Sequence, residues 1–207
     1  SDRLLKKYRP DDQKAADQFE EYVRIIMRQV DDIGRMVDEF SAFARMPQPE
    51  MDRHSLLEIV NGQISLFASK DLSLDVEIDD AKQDYTTICD AGLVRQALTN
   101  LLQNAKDSLQ EHHVAAPAIR ISMTSEDDMI AITLNDNGPG FPEMDLGKLL
   151  EPYVTTRQKG TGLGLAIVSK IMEDHGGNVQ LGKADGGGAL VRLEFPIHTT
   201  THNGKIM

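Results

Sequence analysis

Apolar residues in the first part of the chain follow a helical repeat. Between residues 14 and 46 they are separated alternately by four and three positions, and charged residues occupy the other faces. This spacing predicts one long helix with the seam of a coiled coil or helical bundle. Such a helix cannot bury its seam alone, so we expect a partner helix, most simply from a second copy of the chain. The seam consists of Phe19, Val23, Ile26, Val30, Ile33, Val37, Phe40 and Ala44.

Two prolines end this pattern, and a different one follows. Residues 47–52, which contain Pro47 and Pro49, are predicted to be a linker, and residues 53–197 a second domain. In that domain, helical periodicity at 53–69, after Asp90 and at 163–174 is mixed with strand patterns at 72–78, 85–89, 118–122, 130–134, 178–181 and 189–195. The order predicts an α+β fold: a two-layer sandwich with a mixed sheet and helices on one face. Residues 198–207 show no periodicity and are predicted to be a frayed tail.

The composition of the chain restricts the kinds of molecule that it is expected to bind and the environment in which it is expected to work. The net charge of -11 argues against nucleic acid, whose phosphates require clustered Lys and Arg. No apolar run approaches the roughly 18 residues of a membrane span, so we expect no membrane insertion of this fragment. The single cysteine, Cys89, excludes an internal disulfide, fits a reducing cytoplasm, and is expected to be a buried, inert thiol.

Two glycine clusters carry the candidate chemistry. In the first, an apolar strand delivers Asp136 to a turn where Gly138 and Gly140 leave bare backbone, which suits a flat purine. In the second, residues 160–164 run directly into an apolar helix, so that free N–H groups and the positive end of the helix dipole favour phosphate. The G-x-G-x-G spacing and the lack of Gly-Lys-Ser/Thr exclude a dinucleotide fingerprint and a P-loop.

A pair of asparagines supplies a third element. Asn100 and Asn104 lie at i and i+4 on one face of the helix predicted after Asp90, opposite an apolar face. Magnesium prefers hard oxygen ligands and keeps some of its waters, so a side-chain amide oxygen suits it. A solvated polar face is the alternative for two asparagines taken alone.

Together with a fourth segment, Glu151-Pro152-Tyr153-x-Thr155-Thr156, these three segments resemble the N, G1, F and G2 boxes of sensor histidine kinases, which share an ATPase superfamily (GHKL) with gyrase and heat-shock chaperones. The resemblance covers about residues 49–197 and implies the Bergerat ATP-binding fold, with Mg²⁺ and ATP as cofactors. It assigns Asn104 to the metal, Asn100 and Arg157 to catalysis, and residues 151–159 to an ATP lid. The implied ATP-binding set is Asn100, Asn104, Asp107, Asp136, Gly138, Gly140, Tyr153, Thr155, Thr156, Lys159, Gly160, Thr161, Gly162, Leu163, Gly164 and Leu165.

The chain also departs from the family pattern. Many members carry Lys where this chain has Asp107, and Thr where it has Ala189. Hydrolysing relatives place a general-base glutamate at the position of Asn100, whose amide cannot take a proton from water. The resemblance therefore implies phosphotransfer to a histidine and relay to a response-regulator aspartate. A GHKL-type ATPase and a nucleotide-independent dimerisation module remain as alternatives. His175 is expected to be a helix C-cap.

The long helix resembles the second helix of the family's dimerisation and phosphotransfer hairpin, most closely that of NtrY-type nitrogen-regulation kinases. None of the six histidines lies in a His-Glu/Asp-x-x-Asn-Pro motif. Residues 1–46 are therefore expected to be a partial hairpin without the phosphoacceptor. The resemblance implies a homodimer through residues 14–46, a response-regulator partner, and a cytoplasmic location as part of a membrane-anchored sensor.

Overall fold

The computed structural model describes residues 13–44, 46–68, 72–78, 84–126, 128–157 and 160–197. The chain divides into two compact units, Ser1–Met46 and Pro47–Met207. The predictions for residues 1–12, for Lys159 and for the tail at 198–207 lie outside the described residues. Within the described residues, no helix is both long and apolar enough to cross a bilayer.

The first unit contains one long helix, α1 (Gln13–Ala44), of 32 residues. Its length confirms the predicted continuous helix. Most of the predicted seam is exposed, although Val23 is buried. The exposed seam residues are Ile26, Val30, Ile33, Val37 and Phe40. A row of exposed apolar side chains at heptad spacing is typical of a helix that pairs with another.

The second unit is built around a five-stranded mixed sheet. Its helices are α2 (Leu56–Phe67), α3 (Ala91–Glu111) and α4 (Gly164–Asp174), with a short 3₁₀ helix at Leu146–Leu150. The sheet order is β2-β4-β5-β7-β6, and a separate two-stranded sheet pairs β1 with β3. Only the β2–β4 pair of the large sheet is parallel. The strands are β1 (Asp52–Ser55), β2 (Ser73–Ile78), β3 (Thr86–Cys89), β4 (Ala118–Glu126), β5 (Met129–Asp136), β6 (Asn178–Lys183) and β7 (Ala189–Pro196).

One face of the sheet forms the core. Ile132 of β5 lies between Met123 of β4 and Leu193 of β7 in the strand register, and all three side chains are buried. The alternate residues of β7 include Arg192 and Glu194, which pair with each other at 2.9 Å. Side chains alternate between the two faces of a strand, so one face takes the helices and the other faces solvent. The predicted two-layer α+β sandwich is confirmed.

The structure corrects the start of the first helix in this unit. Residues 53–55 were predicted to be helical, but they belong to β1, where Arg53 pairs with Ile88 of β3. Helix α2 begins at Leu56, because the Ser55 hydroxyl accepts a hydrogen bond from the Glu58 N–H and caps the helix. The strand also takes in Asp52, which lies within the predicted linker.

The N-terminus of α3 is held by a small buried network. The predicted N-cap, Asp90, accepts hydrogen bonds from the N–H groups of Gly92 and Leu93 at 2.8 and 3.0 Å. Partial burial of Asp90 opposes ionisation, but hydrogen bonds from the N–H groups of Leu93, Glu50 and Gly92 outweigh it and lower the pKa of the carboxyl. Its own N–H donates to Nε2 of buried His175, at 2.9 Å.

His175 is the C-cap residue of α4, as predicted. Its Nδ1 lies 2.6 Å from the carbonyl oxygen of Ile171, so the imidazole joins the end of α4 to the start of α3. The neighbouring Cys89 is buried as expected, and its burial, together with the charge of Asp90, raises the pKa of the thiol to about 11. A thiol with that pKa is a packing group rather than a nucleophile.

Candidate functional site

The predicted purine acceptor lies at the end of β5. Asp136 is only 7% exposed. Its Oδ1 accepts hydrogen bonds from the Gly138 N–H at 2.8 Å and from the Ala189 N–H at 3.2 Å. No described residue donates to its second oxygen, Oδ2. The backbone therefore fixes the carboxylate through one oxygen and leaves the other as an acceptor for a ligand.

Bare backbone surrounds this carboxylate. Gly188, with φ +91°, lies so close to the Asp136 carbonyl that an added Cβ would be 1.8 Å from the oxygen. A Cβ on Gly140 would be 3.0 Å from the Gly188 carbonyl oxygen, and one on Gly138 would be 3.4 Å from Leu109 Cδ2 on α3. The first glycine cluster thus packs against both α3 and the loop before β7.

The contribution of Gly188 and Ala189 was missed by the sequence analysis. Three consecutive glycines, 186–188, directly precede β7 and all have positive φ. That run was the available signal, because consecutive glycines before a strand indicate a sharp turn or a close approach of backbone.

The N box lies against the second glycine cluster. A Cβ built on Gly164, the first residue of α4, would be 3.2 Å from Nδ2 of Asn104. Asn100 lies one turn earlier on the same face of α3, and its Nδ2 is buried with no acceptor among the described residues. Asn104 therefore lies against the N-terminus of α4, and Asn100 is on the same face of α3, as a phosphate and metal site would require.

The beginning of the lid rests on the second glycine cluster. Tyr153 is exposed and has a positive φ of 67°, and its N–H donates to the Gly162 carbonyl at 3.0 Å. A Cβ on Gly162 would be 2.6 Å from the Tyr153 carbonyl carbon. Only glycine allows this contact. Thr161 and Leu163 continue the cluster, with the Leu163 N–H donating to Thr161 Oγ1 at 3.3 Å.

The lid cation contacts α3. Arg157 Nη2 lies 3.2 Å from Asp107 Oδ2, and Arg157 Nε lies 3.3 Å from Glu111 Oε2. Glu111 was not predicted as a site residue; its spacing of four residues from Asp107 was the available signal. Asp107 also accepts a hydrogen bond from Gln103 Nε2. Direct contact of each predicted site residue with a nucleotide, including Asp107, Thr156 and Leu165, stays a prediction.

These residues fit a magnesium–nucleotide group. The purine end offers a free carboxylate oxygen, and the phosphate end offers bare N–H groups at the start of α4. The described residues contain no cluster of three or more His, Cys, Asp or Glu that could hold a metal ion alone. A single amide from Asn104 is nevertheless sufficient where phosphates and waters complete the shell of Mg²⁺. The orphaned Asn100 Nδ2 matches an acceptor on such a ligand.

A separate shallow depression lies at the other end of α3. Its volume is about 580 Å³, and it contains none of the predicted site residues. Its lining residues are Glu50, Met51, Asp52, His54, Asp90, Ala91, Gly92 and Arg95.

Comparison with known proteins identifies relatives over nearly the whole chain. The chain is 42% identical over 203 residues to the nitrogen regulation protein NtrY of Azorhizobium caulinodans, which covers 93% of this chain and 25% of that protein. It is 38% identical to a putative NtrY-like sensor histidine kinase of Rickettsia bellii, covering 94% of this chain and 32% of that protein. The chain thus spans about a quarter to a third of the length of these curated relatives.

Solved structures agree with this comparison. The nucleotide-free catalytic domain of histidine kinase ThkA matches with a TM-score of 0.62 and 29% identity, covering 71% of this chain and 95% of that domain. ThkA in complex with the response regulator TrrA matches with a TM-score of 0.71 and 24% identity, covering 94% of this chain and 55% of that one. The second likeness bears on the fold alone.

The match to a known family covers more than half of the chain and includes all four boxes. Residues 89–199 match the family described as histidine kinase-, DNA gyrase B- and HSP90-like ATPase. This range contains Asn104, Asp136, the lid and both glycine clusters. The chain therefore belongs to that family, and carries the ATPase-family domain of an NtrY-like sensor histidine kinase.

Proposed function

We propose that the Pro47–Met207 unit binds Mg-ATP and transfers its γ-phosphate to a histidine on a dimerisation helix, for relay to a response-regulator aspartate. One observation carries the proposal: close approaches join the four boxes. Asn104 lies against Gly164, Gly162 lies against Tyr153, and Gly138 lies against Leu109 of α3. Segments far apart in sequence are thus brought close together.

Each end of the candidate site has its own chemistry. The free oxygen of Asp136 accepts a hydrogen bond from the adenine amino group. The segment at residues 160–164 and the positive end of the α4 dipole receive the phosphates, with the N–H groups in the first turn of α4 as donors. Asn104 would hold Mg²⁺, which would supply positive charge to stabilise the negative charge that develops during transfer. Arg157 adds a second positive charge from the lid.

Asn100 favours transfer over hydrolysis. A general base must be able to take a proton from the attacking water, and a neutral amide cannot. The orphaned Nδ2 of Asn100 is instead a donor for the phosphate tail. A hydrolytic ATPase is the second candidate function, and steady phosphate release by the purified chain would favour it.

The larger setting of the domain is part of the same proposal. The exposed seam of α1 supports a homodimer through residues 14–46 and residues 1–46 as a partial dimerisation hairpin. The names of the relatives, which are sensor histidine kinases, support a response-regulator partner. We infer that the domain works on the cytoplasmic side of a membrane-anchored nitrogen sensor. The negative charge supports protein and nucleotide partners rather than nucleic acid.

Titration calorimetry with a nonhydrolysable ATP analogue tests the proposal. We expect saturable binding that weakens when magnesium is removed, because the metal links Asn104 to the phosphates. The purified chain should not retain radiolabel from ATP, since none of its histidines lies in the phosphoacceptor motif. An absence of nucleotide heat at millimolar concentration would instead favour a dimerisation module with a vestigial pocket.

A further inference from the structure

We propose that Asp107 and Glu111 are positioning residues, which hold the Arg157 guanidinium over the face of α3 that carries Asn104. This inference rests on the proposed function and extends it, because it assigns a role to two carboxylates at the phosphate end of the site. Arg157 Nη2 lies 3.2 Å from Asp107 Oδ2, and Arg157 Nε lies 3.3 Å from Glu111 Oε2. One cation is therefore held by two anions at once.

Four polar residues of α3 form a continuous row. Asn100, Asn104, Asp107 and Glu111 are separated by four, three and four positions, so they lie on one face of the helix. At a rise of about 1.5 Å per residue, Asp107 is less than one turn beyond Asn104. A guanidinium bound to Asp107 is consequently close to the predicted metal ligand.

The backbone of the lid supports the same position. The Arg157 N–H donates to Thr155 Oγ1 at 3.1 Å, and the Gly160 N–H donates to the Arg157 carbonyl at 3.3 Å. A Cβ on Gly160 would be 2.5 Å from Thr155 Oγ1, so a larger residue there would require the Thr155 side chain to move. The side chain of Arg157 is 31% exposed, whereas the paired surface residue Arg120 is 58% exposed. Both its backbone and its side chain are therefore hydrogen-bonded.

Charge explains why this arrangement serves phosphate binding. Two carboxylates beside a triphosphate would repel it, and the shared guanidinium neutralises part of their charge. A guanidinium carries five N–H donors in a rigid fork, and the two ion pairs use its Nε and Nη2 atoms. No described residue forms a hydrogen bond or ion pair with Nη1, so its donors are available for phosphate while both carboxylates stay bound.

The same two ion pairs could instead sequester Arg157, so that the carboxylates compete with the γ-phosphate for its guanidinium. The positioning role and the sequestering role predict opposite effects on the preference of the chain for a nonhydrolysable ATP analogue over ADP. If Asp107 and Glu111 position Arg157, removing their charge lowers this preference. If they sequester Arg157, removing their charge raises it.

The experiment measures the affinities for the nonhydrolysable ATP analogue and for ADP by calorimetry on the 207-residue chain. We expect Glu111→Gln and Asp107→Asn each to lower the ATP-over-ADP preference about two- to five-fold, the scale of a partly exposed ion pair. Arg157→Ala should lower it about ten-fold or more, the scale of a hydrogen bond between charged groups. Added to Arg157→Ala, Glu111→Gln should cause no further loss. Glu111→Asp, which keeps the charge, should retain more of the preference than Glu111→Gln.

The control is Glu77→Gln, which removes the partner of Arg120 in an ion pair of 3.4 Å on the sheet and should leave the preference unchanged. An unchanged or increased preference in Glu111→Gln would overturn the inference. So would an equal loss with and without Arg157, because it would indicate a general charge effect. Thermal unfolding of each variant verifies its fold. ADP that fails to bind the unsubstituted chain would count against the proposed function itself.

Discussion

At the scale of single residues, the two carboxylate oxygens of Asp136 have different roles: Oδ1 accepts backbone hydrogen bonds, and Oδ2 is free to accept one from a ligand. Asp136→Asn can keep an oxygen facing the Gly138 and Ala189 N–H groups, but it places an amide donor where the free oxygen was. A donor cannot accept from the adenine amino group. We expect ADP binding to weaken by about 1.5–3 kcal/mol, measured by calorimetry.

Asp145→Asn is the matched control for this substitution. Asp145 is exposed and caps the 3₁₀ helix through the Gly147 N–H, and asparagine caps equally well. ADP affinity should not change in that variant. If Asp136→Asn also left the affinity unchanged, the assignment of Asp136 to adenine would be wrong.

Comparing Gly188 with Gly186 tests the close contact between Gly188 and the Asp136 carbonyl, because the two glycines have similar backbone strain. Both have positive φ, +91° and +87°, so alanine is unfavourable at either position, by about 1–2 kcal/mol. Only at Gly188 does the added Cβ meet another group, the Asp136 carbonyl at 1.8 Å; nothing lies within 4 Å of one on Gly186. We expect Gly188→Ala to lower the free energy of unfolding, measured in urea, clearly more than Gly186→Ala. Equal losses would contradict this close approach.

At the scale of elements, the cap of α3 predicts a pH-dependent contribution to stability. The pKa of Asp90 is lower in the folded protein than in the unfolded chain. Its ionised form therefore stabilises the fold above the unfolded pKa of about 3.9, and this contribution is lost as the pH falls through the lower folded value.

Asp90→Asn isolates that contribution. The amide can still accept from the Gly92 and Leu93 N–H groups, but it loses the oxygen that accepts from the Glu50 N–H at 2.9 Å. We expect the variant to be less stable by about 1 kcal/mol at pH 7, and the difference should shrink below about pH 4. Urea unfolding across this range measures it, with Asp75→Asn on β2 as the control. A difference that grows on acidification would reverse the assigned sign.

Some helices and strands could be predicted from the local sequence pattern, and others could not. Strands β4, β5 and β7 were predictable because buried and polar residues alternate along them, and α3 because Asp90 caps an apolar repeat. β1 was missed because its four residues, 52–55, are all polar and owe their conformation to pairing with β3. Tertiary contact overrides local propensity in such a short segment. The Ser55 cap with Glu58 three residues later was the local signal for the true start of α2.

At the scale of the whole molecule, the candidate site could be predicted only in part. The four boxes were recognisable in sequence, but their approach to one another depends on contacts that no local pattern encodes. Ala189 reaches Asp136 across 53 positions, and Arg157 reaches Glu111 across 46. Those two partnerships are determined by the sheet order and by the lid, so they appear only in the folded chain.

The exposed seam of α1 leads to a prediction about assembly. If the seam pairs with a second copy, Ile26 becomes buried in the dimer, and an aspartate there would place a charge in an apolar interface. Full burial of an isoleucine contributes about 1.5–3 kcal/mol, so Ile26→Asp should weaken dimerisation at least about ten-fold. Sedimentation over a range of protein concentrations measures this change.

Ile25 provides the control within the same turn of α1. It is the same residue type and is also exposed, at 44% against 60% for Ile26, but it lies outside the four-three repeat. Seam pairing predicts that Ile25→Asp leaves dimerisation nearly intact, because its side chain faces away from the partner helix. Equal weakening by both substitutions would show that apolar surface in general, and not the heptad seam, drives association. If the unsubstituted chain stays monomeric at high concentration, pairing through α1 is contradicted.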